Sequence, residues 1–535
     1  MQDLGLSDKL KICLQECLLI LNDNNLESSP VSDSIQEALW RLSQPMQLAI
    51  IGKISSSKST LVNALLGSDV VRTGQMEETF NVSWLKYGET DKDIKVVFKN
   101  GETRYVPRNE WAYWTSHQHD NIFKEQVKYI EVSYNDEILK KINIIDTPGL
   151  DALSEIDSKN TVAFLKEVRP DAVIMLFTKS IAESTFSILQ DFQNAGTSNF
   201  TLTPLNAIGV LAKVDTMWSV MNPDKDILED AKRVIDTILY GKYPEVKRAL
   251  FSILPVSSLL GFASSTITDG DMEVLRAFSR TDKGDIYEML SSPALLVDES
   301  YVTEVSIDER MALYRKFGLY GIYLIMETLW KNPLCSLDEI RMVLNCRSGY
   351  DKMLSTVIAH FGDRAALIKS QNAIVSVIDA CMEVLSVCNG QKYELIENIT
   401  KKITSMLLSI HEFQEWRFLS DIYEHPDAYD EKEAEEFKAV CGEYGGSAAD
   451  RLNMLSGASV EDMIAKVKDR ALYFRKNYNL YSNIDPKKSA LYKVMLSSYN
   501  LLLKRIEEAY DQTLEAESML KSARNFLFGS GAKYN

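Results

Sequence analysis

The hydrophobic pattern of the chain changes period near residue 350. Upstream, short runs rich in β-branched and aromatic residues recur between turn residues: QLAIIG, FNVSWLKYG, DIKVVFKNG, VKYIEVSY, KINIIDTPG, DAVIMLFT and NAIGVLAKVD. Each predicts a strand. Helix-period stretches such as TVAFLKEV and ILEDAKRVIDTIL fall between them. This alternation predicts an α/β domain over residues 45–350, a mostly parallel sheet flanked by helices. Downstream the strand signal fades, and apolar residues return at helical intervals: Leu354, Val357, Ile358, Phe361, Ala365, Ile368. The last helix has a readable start, with Asp485 as N-cap and Pro486 at the first helical position. From there Leu491, Met495, Tyr499, Leu502, Ile506 and Tyr510 form one apolar stripe. Rods with such stripes bury them against one another, so residues 351–535 are expected to form an elongated helical bundle, or stalk. Near the N-terminus, Leu10, Cys13, Leu14, Cys17, Leu18 and Leu21 are spaced as on an amphipathic helix. Residues 1–44 are therefore read as N-terminal helices that dock on the bundle. The segment FQEWRFLSDIYEHPDAYDEKEAEEF is expected to be an acidic, exposed connection.

Bulk properties narrow the function. At 535 residues the chain exceeds one compact domain. A formal charge of −17 argues against a nucleic-acid binder, because phosphate neutralisation needs a basic surface. The seven cysteines are scattered without a C-x-x-C pair, which suits reduced thiols better than disulfides or zinc. The first residues lack a signal peptide's basic start and cleavage site, and no apolar run reaches membrane-spanning length. The expected location is cytoplasmic, with peripheral contact at the inner face of the membrane.

Candidate chemistry concentrates in MQLAIIGKISSSKSTLVNALLG, from Met46 to Gly67. An apolar strand runs into Gly52, then a small-residue loop, then a Lys-Ser pair opening a helix. This is the phosphate-loop layout G-x-x-x-x-G-K-[ST], with Ser57 in place of the second glycine. Two further signals follow in order, each at the end of an apolar run: Asp146 to Gly149 in INIIDTPGL, and Lys213 and Asp215 in VLAKVD. Backbone N–H groups from Ile54 to Thr60, including Ser55, Ser56 and Ser57, would face phosphates. Lys58 would reach the β- and γ-phosphates, and the Ser59 hydroxyl would ligate Mg²⁺ with Asp146. The Gly149 amide could approach the γ-phosphate because no side chain intrudes. Asp215 could accept from the ring N–H and exocyclic amine of guanine, a donor pair that adenine lacks. GTP is thereby favoured, and a P-loop kinase or ATPase is disfavoured. LPVSSLLG would bring Ser257 and Ser258 to the base.

These motifs, in this order, resemble the dynamin superfamily, in particular bacterial dynamin-like proteins. GKISSSKST is similar to the family's G-x-x-S-x-G-K-S-[ST], and GSDVVRTGQMEETFNVSWLKYGE to its switch I passage. DTPGL and VLAKVD match its third and fourth motifs, and SGYDKMLSTVIAHFGDRAALIKS resembles the segment leading into its stalk. The resemblance implies a P-loop GTPase domain that binds GTP and GDP, uses Mg²⁺, and is stimulated when two such domains dimerise. It implies that Ser55 helps to hold a monovalent cation, K⁺ or Na⁺, in the transition state. It places Thr79, with Thr73 as rival, as the switch I threonine that closes on Mg²⁺ and positions the attacking water. Leu150 stands where Ras-like enzymes carry glutamine, as in dynamins.

Three departures from the pattern matter. A serine held at positive φ at position 57 costs roughly 1 kcal/mol or somewhat more. Ala212 lacks the usual Asn or Thr side chain that braces the base pocket, a hydrogen bond worth about 0.5–1.5 kcal/mol. Ile54 stands where eukaryotic dynamins have glutamine. Together the first two weaken GTP affinity by about tenfold to a hundredfold, leaving a reduced but working site.

Two functions follow from this reading. One is a dynamin-like GTPase whose stalk couples hydrolysis to membrane remodelling or protection, as a homodimer, a higher oligomer, or with a related dynamin-like partner. The other is a soluble GTP-dependent scaffold acting on a protein partner. A lipid-facing paddle is not evident. Phe526, Leu527 and Phe528 beside Arg524 and Lys533 are read as a helix end packed on the bundle, with an interfacial membrane anchor as the alternative. Trp111, Tyr113 and Trp114 are read as core, and His117 and His119 as surface residues.

Overall fold

The computed structural model describes residues 5–52, 56–68, 81–115, 126–147, 170–178, 204–241, 246–362, 364–455 and 457–528. The chain forms two compact units, Met1–Glu383 and Val384–Asn535.

The first unit is built on one sheet, nine-stranded among the described residues. Its strands are β1 (Met46–Gly52), β2 (Ser83–Tyr87), β3 (Ile94–Phe98), β4 (Thr103–Val106), β5 (Val127–Tyr134), β6 (Ile142–Asp146), β7 (Ala172–Phe177), β8 (Ala207–Leu211) and β9 (Ile253–Pro255). They lie in the order β4-β3-β5-β2-β6-β1-β7-β8-β9. From β6 to β9 every pairing is parallel. β2 runs antiparallel to β6 and parallel to β5, and β3 is antiparallel to both its neighbours. Every residue of β1, β6, β7 and β8 is buried, which explains why these strands read as unbroken apolar runs rather than alternating ones. β4 is the sheet edge and exposes Thr103, Arg104 and Tyr105, so it lacked the pattern that predicts a strand.

Helices α1 (Leu6–Asp23) and α2 (Pro30–Ser43) precede the sheet, and α3 (Lys58–Leu66) follows β1. After β9 come α4 (Ser258–Thr266), α5 (Ile307–Lys331), α6 (Leu337–Ser348), α7 (Tyr350–Val357) and α8 (Ala365–Val387). α5 and α6 start with full capping boxes, Ser306 with Glu309 and Ser336 with Glu339. One continuous core joins sheet residues such as Ile51, Ile145 and Leu211 to Leu260, Phe317, Tyr320 and Leu344 on these helices. α4, α5 and α6 are therefore part of the α/β core, not an appendage to it. α2 bonds to α8: Ser34 Oγ donates to Ser376 O at 3.2 Å, and Lys369 Nζ donates to the carbonyls of Leu42 and Gln44. Trp111 and Trp114 are buried, whereas Tyr113 is exposed.

The second unit is helical: α9 (Gly390–Ser409), α10 (His411–Glu424), α11 (Glu431–Val440), α12 (Val460–Tyr481) and α13 (Pro486–Phe528). Asp485 caps α13 by accepting from Lys488 N at 2.9 Å. The stripe Leu491, Met495, Tyr499, Leu502 and Ile506 is buried, but Tyr510 is 36% exposed, so the buried seam ends before it. The acidic stretch expected as an exposed connection instead forms α10 and α11. It buries Phe413, Trp416, Phe418, Leu419, Ile422 and Phe437. Its apolar residues follow a helical period that the intervening charges disguise. Those charges are themselves engaged. Arg470 clasps Glu436 with two 2.6 Å hydrogen bonds, while Tyr499 and Tyr492 donate to Glu436 and Glu433 at 2.6 Å each.

Candidate functional site

Gly52 ends β1 where there is no room for a side chain. A Cβ there would lie 2.7 Å from Ser56 Oγ and 2.9 Å from Leu176 Cβ on the adjacent β7. The chain then enters the loop and reaches Ser57, which adopts φ 68° and ψ 32°. The left-handed backbone that the missing glycine implied is present. α3 begins at once, and Ser57 places no side-chain cap on it. Ser257, Ser306 and Ser336, by contrast, all cap their helices. The first turn of α3 is thus a set of N–H groups at the positive end of a helix dipole, the arrangement that receives phosphate.

Lys58, Ser59 and Thr60 are buried despite their polarity. Lys58 Nζ folds back to donate to Gly52 O at 3.1 Å, which ties the ammonium to the end of β1. Ser59 Oγ donates to Asp146 Oδ2 at 3.4 Å. That meeting follows from register: Ile50 of β1 pairs with Asp146 at the end of β6. Thr147 Oγ1 donates to Ile50 O at 2.8 Å and fixes the chain as it leaves β6. Ser56 is also buried, and its hydroxyl has no hydrogen-bond partner among the described residues.

Two strands across, β8 ends at Leu211, and Ala212 N continues the ladder by donating to Phe177 O at 2.8 Å. Lys213 then takes a left-handed φ of 58° and opens a short 3₁₀ turn, Val214–Met217, that carries Asp215. Ser257 Oγ donates to Asp215 Oδ1 at 2.6 Å. Burial pushes the Asp215 carboxyl above its ordinary range, opposed by the Ser257 hydrogen bond and by Lys213. As a whole residue Asp215 is half-buried. A ligand that offers two N–H donors would favour the ionised form.

Gly52, Ser56, Ser57, Lys58, Ser59, Thr60, Asp146, Lys213, Asp215 and Ser257 therefore all stand at the C-terminal edge of the parallel strands, where open α/β sheets bind ligands. The structure brings them to two adjoining places, Lys58–Ser59–Asp146 and Asp215–Ser257. Ser55, Thr73, Thr79, Gly149 and Leu150 lie outside the described residues, as do Ile54, His117, His119 and Lys533.

The structure also adds residues that no nucleotide motif contains. Ser257 N donates to Ser348 O at 2.8 Å, and the Tyr350 hydroxyl donates to Ala64 O, on α3, at 2.9 Å. Between them, Gly349 has φ 70°, and a Cβ there would lie 2.3 Å from Pro255 O. Only glycine fits that approach. The junction of α6 and α7 is thus wedged between the base loop and the phosphate-loop helix. Its partners are between about 90 and 286 residues away, so only the turn residues of S-G-Y hinted at it.

Residues 48–214 match the model of the Dynamin family. The chain is 24% identical to the isoniazid-induced protein IniC of Mycobacterium tuberculosis, over 77% of this chain and 81% of the relative. It is 28% identical to dynamin-like protein 2 of Campylobacter jejuni, over 39% of this chain and 33% of the relative. Over residues 48–214, therefore, the chain is similar to the dynamin family. Among solved structures, one of an oligomerised bacterial dynamin pair overlaps 98% of this dynamin-like chain and 79% of its own, at 16% identity and a TM-score of 0.37. The mostly parallel sheet is of the kind a GTPase domain carries, and a large helical region follows it in the chain. No described helix of this dynamin-like protein is long and apolar enough to cross a membrane.

Proposed function

We propose that this protein is a dynamin-like enzyme that binds GTP with Mg²⁺ and hydrolyses it. The observation that carries the reading is the shared edge of one sheet: Lys58, Ser59 and Asp146 at an uncapped helix start, with the Asp215–Ser257 pair beside them. Lys58 would bind the β- and γ-phosphates, the first turn of α3 would cradle them, and Asp215 would select guanine. A buried hydroxyl beside a buried carboxylate is a hard oxygen pair, which suits Mg²⁺, so Ser59 and Asp146 would hold it. When bound, it supplies charge neutralisation at the β- and γ-phosphate oxygens. Thr79 and Ser55 keep their proposed parts, in closing on that site and in holding a K⁺ or Na⁺ ion.

The proposal extends to residues 45–350 as the GTPase domain, 351–535 as the stalk, and 1–44 as helices docked on it. Dimerisation through the GTPase domains would raise the rate, and the stalk would carry the change to a lipid surface. The left-handed Ser57 favours a second reading, a scaffold with weak turnover acting on a protein partner.

Phosphate release measured against protein concentration, with and without liposomes, tests these parts separately. The specific rate is expected to rise with concentration, and Lys58→Ala to abolish GTP binding. A flat specific rate overturns dimer stimulation, and a Lys58→Ala chain that binds GTP like the parent overturns the site. Failure to sediment with liposomes in any nucleotide state overturns the membrane role and leaves the scaffold.

A further inference from the structure

The choice of guanine rests on Asp215, and one neighbour lies against that carboxylate from outside every nucleotide motif. α5 is broken at Gly318, which has φ 64° and ψ 175°, a backbone region open essentially to glycine alone. A Cβ built on Gly318 would lie 3.9 Å from Asp215 Oδ2 and 3.2 Å from Leu259 Cδ2. Ser257 occupies the other carboxylate oxygen, Oδ1, at 2.6 Å. The two oxygens of Asp215 therefore face different walls: Oδ1 faces the base loop, and Oδ2 faces the break in α5.

That wall is fixed in place. Just beyond the break, Tyr320 and Tyr323 pack on Trp218, which directly follows the turn carrying Asp215. Their ring centroids lie 5.8 and 4.7 Å from that of Trp218. Both tyrosines are buried in the core. The aromatic clamp holds α5 to the turn, so Gly318 and Asp215 keep their distance. Earlier in the same motif, Ala212 is buried and its side chain has no polar group to brace a base.

We propose that Gly318 is a guanine-specificity position: the bare backbone at the break of α5 bounds the Oδ2 side of the base pocket and admits the 2-amino group there. This inference rests on the reading of Asp215 as the guanine partner. The missing side chain would leave room for an exocyclic amine beside Oδ2, bounded by Leu259, whose Cδ2 lies 3.2 Å from a Cβ built on Gly318. Recognition that the motif loses at Ala212 is recovered from α5. An alanine at 318 would place a methyl in van der Waals contact with Oδ2 and strain the break. Valine would fill the space the amine takes.

The test uses the full chain and displacement of a fluorescent guanine nucleotide by GTP, by inosine triphosphate (which lacks the 2-amino group) and by ATP. The parent is expected to prefer GTP to inosine triphosphate. Gly318→Ala and Gly318→Val are expected to weaken GTP by about tenfold, the size of one lost hydrogen bond to a charged group, with inosine triphosphate shifted by no more than about threefold. Equal losses for the two nucleotides, or no loss for either, overturn the proposal. Should the variants fail to fold, N2-methyl-GTP on the parent decides. It is expected to bind about tenfold more weakly than GTP, and equal binding overturns the proposal. A parent that does not discriminate GTP from ATP overturns the guanine reading itself. A parent that prefers GTP, with variants losing both nucleotides alike, overturns only the role of Gly318.

Discussion

Ser57 is the residue at which local chemistry and the demands of the loop disagree most. A non-glycine residue in the left-handed region costs about 1–2 kcal/mol, and the serine hydroxyl offsets none of it by capping α3. The cost bears on nucleotide affinity to the extent that the bound loop must hold this backbone while the free loop relaxes from it. Ser57→Gly is therefore expected to tighten GTP binding by about three- to tenfold, read by equilibrium titration. An unchanged constant would mean that the strain is equal in both states. Gly52, Lys58, Ser59, Asp146 and Asp215 could be singled out in the sequence because the roles proposed for them depend on residue type and order along the chain. Gly318 and Tyr350 could not. Their meaning comes from which atoms lie opposite them, and a glycine inside YRKFGLYGIY or a tyrosine after S-G carries no such information.

At the scale of elements, strands buried on both faces were easy to read, and the exposed edge strand β4 was not. α10 and α11 show the converse failure. Their charges suggest solvent, but in the fold several of those charges are bound. Glu415 accepts from Ser498 Oγ at 2.6 Å and meets His411 Nε2 at 3.1 Å, joining α10 to α13. Burial pushes the Glu415 carboxyl up, but its hydrogen bonds with His411 and Ser498 outweigh that and hold it below the ordinary glutamate range. Asp421 is likewise held down, by Lys487 and Tyr429 against burial. A carboxyl with a lowered folded value contributes stability that is complete above its unfolded value and is lost as pH falls through the folded one. Melting of the helical unit, followed by circular dichroism, is therefore expected to be level near neutrality and to decline below about pH 4.5. Glu415→Gln is expected to start lower and decline less steeply. An equal slope in parent and variant would remove Glu415 from the cause.

At the scale of the whole molecule, the question is how the site reaches the rest of the chain. The backbone passes from Ser348, the last residue of α6, through Gly349 to Tyr350, the first residue of α7. One bond from this junction goes to the base loop, through Ser257 N, and another to the phosphate-loop helix, through Ala64 O. A nucleotide that spans base loop and phosphate loop would hold both anchors at once, so GTP should slow amide exchange across residues 350–357. Tyr350→Phe removes one anchor. Ala64 O keeps a partner in Gly67 N, so the loss should fall toward the low end of the usual range of about 0.5–1.5 kcal/mol. The expected result is that nucleotide affinity changes by less than about threefold while the GTP-dependent protection of 350–357 is reduced severalfold. Protection that survives in Tyr350→Phe would show that the Ser257–Ser348 bond alone transmits the nucleotide state. Protection that never forms in the parent would show that this junction does not transmit it.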